Sequence, residues 1–125
     1  MNNLHIAVLG LIVRISVSPI WNAQEHTLIG KWASDSDTNW TIEFNEQNEC
    51  VWRYNENVTE QFSYAISNIS PQCGYDVPVD DSTSYLELSN TKNGNTLCYE
   101  INGITEEILS LRLVEQGGFL LFKRQ

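Results

Sequence analysis

Cys50, Cys73 and Cys98 are the residues of this chain best equipped for covalent chemistry, and their spacing argues against most of it. No two of them form a C-x-x-C pair, and neither His5 nor His26 lies near any of them in sequence. A zinc site therefore has no framework. A nucleophilic cysteine needs a base to draw off its proton, and no histidine follows His26. Adjacent carboxylates occur at Asp80-Asp81 and Glu106-Glu107, but both pairs fall in turn-rich stretches where solvated turn residues are the plainer reading. Asp76, Asp80 and Asp81 lack the regular spacing of a calcium loop. The chain holds no Ser–His–Asp set and no glycine-rich phosphate loop. It reads as non-enzymatic, with no catalytic residue, metal ligand or cofactor expected.

What remains to position is a set of aromatic rings and three thiols, and the elements that carry them are strands. From Leu28 onward, short alternating segments are separated by turns rich in Asn, Gly, Asp and Ser. The pattern predicts eight strands: Leu28–Ser34, Trp40–Phe44, Cys50–Tyr54, Val58–Ile66, Tyr85–Ser89, Thr96–Ile101, Ile108–Leu113 and Phe119–Arg124. Trp40, Ile42 and Phe44, then Trp52 and Tyr54, then Phe62, Tyr64 and Ile66 all keep one parity. A meander with one buried face explains this. Asn93-Gly94 and Asn102-Gly103 are read as turn dipeptides, since both residue types tolerate positive φ. Residues 67–82 have two prolines, an acidic run and no sustained alternation, and read as a long surface loop. Hairpin links throughout favour an all-β, eight-stranded antiparallel up-and-down barrel, which also removes exposed sheet edges.

Strand parity sorts the cysteines. Cys50 shares the aromatic side of its strand, while Cys98 faces away from Leu97, Tyr99 and Ile101. A disulfide from the loop residue Cys73 to outward-facing Cys98 is the expected pairing, pinning the loop to the barrel wall; it leaves Cys50 as an inert buried thiol. Pairing of Cys50 with Cys98 is the alternative. The inward face is predicted to hold Trp40, Ile42, Phe44, Trp52, Tyr54, Phe62, Tyr64, Leu86, Leu88, Tyr99, Leu109, Leu111, Leu113, Leu120 and Phe122. Eight of those fifteen are aromatic, which presses toward a filled interior. Trp52, Tyr54, Tyr64 and Tyr99 are the candidates for the wall of a pocket, because buried hydroxyls and indole N–H groups need partners.

Charge and the N-terminus bound the setting. From Glu25 to Gln125 there are 16 acidic residues and six Lys or Arg, giving 6 − 16 = −10. Such a charge repels phosphate backbones and anionic lipid, so no nucleic-acid partner is expected. Residues 1–24 contain no Asp or Glu, and the apolar run Ile6–Val13 is too short to span a bilayer but has the length of a secretory h-region. This segment is read as a signal peptide or N-terminal arm preceding a domain over residues 25–125. The expected location is therefore outside the cytoplasm, periplasmic or secreted, with no membrane span.

Gly30-Lys31-Trp32 on the first strand and Arg124 at the end of the last form a further pattern. So do Ile104-Thr105, Leu109-Ser-Leu111 and Lys123-Arg124 near the C-terminus. Together they resemble small bacterial lipocalin-like domains of the calycin type, although the chain is shorter than a typical lipocalin and shows no C-terminal helix pattern. The resemblance covers Leu28 to Gln125 and implies that Trp32 and Arg124 form a structural pair closing the barrel base. It also implies a non-catalytic binding protein holding a small apolar molecule at the barrel mouth. The alternative is a protein-interaction module, of inhibitor or immunity type, using the outer wall and the acidic loop Pro71–Asp81. An interior with room at one end separates the first from the second.

Overall fold

A computed structural model describes residues Thr27–Gln125. The expected export segment, residues 1–24, lies outside the described residues. The strands are β1 (Gly30–Ser34), β2 (Trp40–Phe44), β3 (Glu49–Tyr54), β4 (Asn57–Ser67), β5 (Tyr85–Asn90), β6 (Thr96–Ile104), β7 (Ile108–Leu113) and β8 (Phe119–Arg124). They form a closed antiparallel barrel in sequence order, β1 through β8, with β8 returning to β1. The fold class is thus the up-and-down barrel the turn spacing predicted, compatible with a lipocalin-like fold. Each link is short enough for a hairpin except the one between β4 and β5. The tightest is Asn55-Glu56, where both residues have positive φ (50° and 70°), the hairpin geometry that matches strand twist.

One boundary differs from the sequence reading. Asn102-Gly103 is not the β6–β7 turn; β6 continues to Ile104 and the register shifts between Ile101 and Gly103. Asn102 is the extra residue of a β-bulge, which bends the strand without ending it. The turn comes at Thr105, whose hydroxyl accepts from the backbone N–H of Glu107 (3.2 Å) and of Ile108 (3.0 Å). A second shift, between Trp52 and Arg53 on β3, leaves Thr59 of β4 without an opposing residue.

The barrel has a sealed end and an open end. At the sealed end Trp32 is completely buried, and its indole N–H donates to the Leu28 carbonyl at 2.9 Å. The Arg124 guanidinium lies over that ring at 4.1 Å from the centroid. It also donates to the carbonyls of Ile29 (2.9 Å) and Glu106 (2.6 Å), and to that of Thr27. Leu28, itself fully buried, caps the core beneath. Gly30 makes this possible: its φ is +133°, and an added Cβ would meet Arg124 Nη1 at 2.5 Å. A side chain there would strain the backbone and displace the guanidinium.

The long β4–β5 connection lies against the outside of β5 and β6. A disulfide joins Cys73 to Cys98, closing a separation of 25 residues, and by chain-entropy reasoning is worth about 3 kcal/mol. Beneath the loop, outward-facing Tyr85 is buried and donates its hydroxyl proton to the Pro78 carbonyl at 2.6 Å. Gln72 is buried as well, donating from its amide to Ser67 Oγ and the Ile69 carbonyl. Tyr85 and Gln72 are thus both buried under the loop and both hydrogen-bonded.

Replacement of Gly30 by Ala, or of Arg124 by Lys, is expected to lower the stability by about 1–3 kcal/mol. Lysine keeps the charge but cannot fork to three carbonyls while lying flat on an indole. Urea unfolding monitored by tryptophan emission measures both; an unchanged midpoint in either variant means the base is held some other way.

Candidate functional site

The interior is packed with aromatic rings in edge-on contact. Phe44 meets Tyr64 at 5.1 Å between centroids, Trp40 meets Phe122 at 5.2 Å and Trp52 at 5.6 Å, and Trp52 tilts onto Phe62 at 4.8 Å. Such pairs favour a fixed arrangement over a fluid one. Burial is nevertheless uneven along the axis. Six hydrophobic residues pack on the core while staying partly exposed: Trp40, Trp52, Leu97, Ile104, Leu113 and Leu120. All but Ile104 lie toward the end away from Arg124, where β2, β6 and β8 begin and β3 and β7 finish. Of the six, Ile104 alone is at the Trp32 end.

The same end is parted between β4 and β5. The eleven residues of β4 outrun their neighbour, and pairing with β5 begins only at Phe62 opposite Asn90. Above that point the Thr91 N–H reaches the Gln61 carbonyl at 3.1 Å. Val58 stands 50 % exposed beyond. Two clefts occupy the gap. The outer one, about 290 Å³, is lined by Val58, Thr59, Glu60, Gln61, Asn90, Lys92 and Asn93. The inner one, about 190 Å³, is lined by Glu60, Phe62, Asn90, Asn93, Asn95, Thr96 and Leu97. Glu60, Asn90 and Asn93 border both, so the clefts adjoin. Leu97 supplies an apolar surface, with Phe62, only 2 % exposed, at the floor and in ring contact with Trp52.

The four residues expected to wall a pocket are not gathered at one place. Trp52 is at the open end, half-buried, and its indole N–H is the one buried side-chain polar atom among the described residues without a hydrogen-bond partner. Burial and the Cys50 thiol and Glu60 carboxylate push the Tyr99 hydroxyl up to about 12. Tyr64 serves the opposite end, its buried ring carrying a hydroxyl that donates to the Asn45 carbonyl at 3.0 Å. Tyr54 is a correction: it is 43 % exposed and donates to Asp37 Oδ2 at 2.9 Å, outside the core. As the last residue of β3 it stands above the packed layers, where alternation no longer implies burial. Of the four, Trp52 bears on the clefts, through its ring contact with Phe62.

Glu60, Asn90 and Asn93 were not singled out from the sequence. The signal for Glu60 is its parity, which it shares with inward Phe62 and Tyr64. Asn90 and Asn93 read only as turn residues because their side-chain oxygens do serve the turn. Asn90 Oδ1 accepts from the N–H of Lys92 (2.9 Å) and of Asn93 (3.2 Å), and Asn93 Oδ1 accepts from the N–H of Asn95 (2.9 Å).

For covalent or metal chemistry the described residues offer little. Cys50 is buried, and desolvation pushes its thiol up to about 12, a rise the neighbouring Trp52 indole only partly offsets. A thiol held protonated in this way is a poor nucleophile. One group of three potential metal donors occurs, Cys73, Glu87 and Cys98, and both its sulfurs are committed to the disulfide. Asp80 caps its own turn, accepting from the Ser82 N–H and hydroxyl, each at 2.9 Å. Hydrogen bonds from Thr83 and then Ser82 hold its carboxyl below the usual range. No helix among the described residues is long and apolar enough to cross a membrane.

No family model, no curated protein and no solved structure matches the chain.

The buried protons of Cys50 and Tyr99 set an alkaline limit. Their ordinary values, 9.0 and 10.0, apply in the unfolded chain, so the folded chain keeps both protons to higher pH. Stability is whole below about pH 9 and falls as pH climbs toward about 12. Urea midpoints across that range are expected to drop, less steeply in Cys50→Ala. A chromogenic disulfide reagent should find no thiol in the native protein and one after denaturation; rapid native labelling would contradict the buried assignment.

Proposed function

We propose that the protein is a non-catalytic binding protein whose barrel receives a small, largely apolar ligand at the open end. The observation that carries this reading is the axial asymmetry of burial. One end is closed by Leu28, Trp32 and Arg124, whereas the other keeps Trp40, Trp52, Leu97, Leu113 and Leu120 incompletely covered beside the clefts. Partly covered apolar groups near a concave opening with a few polar residues are what small-molecule sites offer.

Two companion readings belong with this one. A lipocalin-like relationship is supported by Gly30-Lys31-Trp32 with Arg124 stacked on Trp32, within a closed eight-stranded barrel. Work outside the cytoplasm is supported by the Cys73–Cys98 disulfide, which persists in oxidising surroundings.

A second reading, a protein-interaction module, has one specific observation in its favour. The pinned β4–β5 loop holds Ile69 (62 %), Tyr75 (44 %) and Val79 (58 %) exposed beside Asp76, Asp80 and Asp81. A loop already ordered by a disulfide loses little entropy on meeting a partner. The filled part of the barrel would then be scaffold only.

The neutral dye N-phenyl-1-naphthylamine, bright in apolar surroundings, distinguishes the two. The ligand reading expects saturable enhancement with the wild-type protein. About tenfold weaker binding is expected for Leu97→Glu. Near-ultraviolet circular dichroism would show that the variant remains folded. A folded wild-type protein giving no saturable response eliminates the ligand reading and leaves the interaction module.

A further inference from the structure

The two adjoining clefts constrain the head of a ligand as well as its apolar part, provided that the barrel binds one at its open end as proposed. The floor and the rim differ in kind. Phe62 and Leu97 present carbon, whereas Glu60, Asn90 and Asn93 form a polar border common to both clefts. Asn90 Oδ1 is saturated by two backbone N–H groups of its own turn and Asn93 Oδ1 accepts one, so what these side chains chiefly have left to offer is the amide N–H. Glu60 bordering the same space offers only acceptors, and none of the three ion pairs among the described residues includes it. The rim therefore presents donors and an acceptor around one opening.

We infer that the ligand is an amphiphile with a neutral, hydroxyl-bearing head, of the alkyl glycoside or acylglycerol class. A hydroxyl can both accept from Asn90 and Asn93 and donate to Glu60. A carboxylate head would accept from the amides but would lie against Glu60 in a chain of net charge −9. Lys92 borders the outer cleft only, so a head held within the inner cleft, beside Leu97, meets Glu60, Asn90 and Asn93 without it. A quaternary ammonium head would suit Glu60 but has no acceptor for the amides. The alkyl portion would lie on Phe62 and Leu97, toward Trp52, so its arrival should alter tryptophan emission.

The test uses three amphiphiles with one chain length, octyl β-glucoside, octanoate and octyltrimethylammonium, each titrated below its micelle concentration and followed by tryptophan emission. The glucoside is expected to bind at least about tenfold more tightly than octanoate. Glu60→Gln, which keeps an acceptor but loses the charge, should narrow that gap mainly by improving octanoate. If octanoate or the cation binds as well as the glucoside, the head-group inference is wrong and the apolar-ligand reading survives. The same holds if the naphthylamine dye binds and none of the octyl compounds does. If neither dye nor amphiphile binds the folded protein, both fail together.

Discussion

Only three residue pairs close this barrel: Trp32 with Arg124, Ala33 with Lys123 and Ser34 with Phe122. That seam joins the first strand to the last, and the rest of the structure depends on it, because an eight-stranded sheet left open would present two bare edges. Arg124 reinforces the seam by reaching past it. Its guanidinium ties β8 to the Thr27 and Ile29 carbonyls ahead of and beside β1, to the β6–β7 turn through Glu106, and to the Trp32 face. Three separated stretches of chain thus share one planar cation. Gly30 belongs to the same device, since the space a side chain would fill there is occupied by Arg124 Nη1. Together these residues pack one end of the barrel.

The disulfide does for the outer wall what Arg124 does for the base. A connection from Asn68 to Ser84 with no strand of its own would ordinarily be the most mobile part of such a fold. Here Cys73 is bonded to the centre of the wall at Cys98, and Tyr85, Gln72 and Ser70 supply the intermediate hydrogen bonds. The cost is visible in Ile69, Tyr75 and Val79, which the ordered loop cannot bury. Arg124 acts away from the open end, whereas the disulfide lies close to it, with Cys73 Sγ 3.5 Å from the hydroxyl of Thr96, a residue that lines the inner cleft.

The architecture was legible in the sequence because a half-buried antiparallel strand writes its own pattern. Side chains alternate, and parity alone placed Cys50 inside and Cys98 outside, from which the Cys73–Cys98 pairing followed. Parity fails where a strand leaves the core or carries an extra residue. Tyr54 keeps the inward parity but sits above the last packed layer, and Asn102-Gly103 looks like a turn although its neighbours on β7 continue the ladder. The clefts were not legible for a different reason. They arise from unequal strand lengths, β4 with eleven residues beside β5 with six, and no residue announces where its neighbour across the sheet will stop. Glu60 became informative only once that gap placed it beside Asn90 and Asn93.

A filled aromatic interior and a binding role are less opposed than they first look. Were the barrel packed equally at both ends, it would be a scaffold and nothing more. Instead ring contacts run the length of the interior, while the core-packed hydrophobic residues left partly in water collect, Ile104 apart, at the end away from Trp32. An eight-stranded barrel is just wide enough for side chains to fill, so any room must come from an end or from a parting of strands. Both sources coincide at the mouth bordered by Glu60, Phe62, Asn90 and Leu97. Aromatic packing below them gives such a mouth a rigid floor, and rigidity is what lets a shallow site discriminate among head groups. The rings that close off the depth of the barrel thereby direct recognition to its rim.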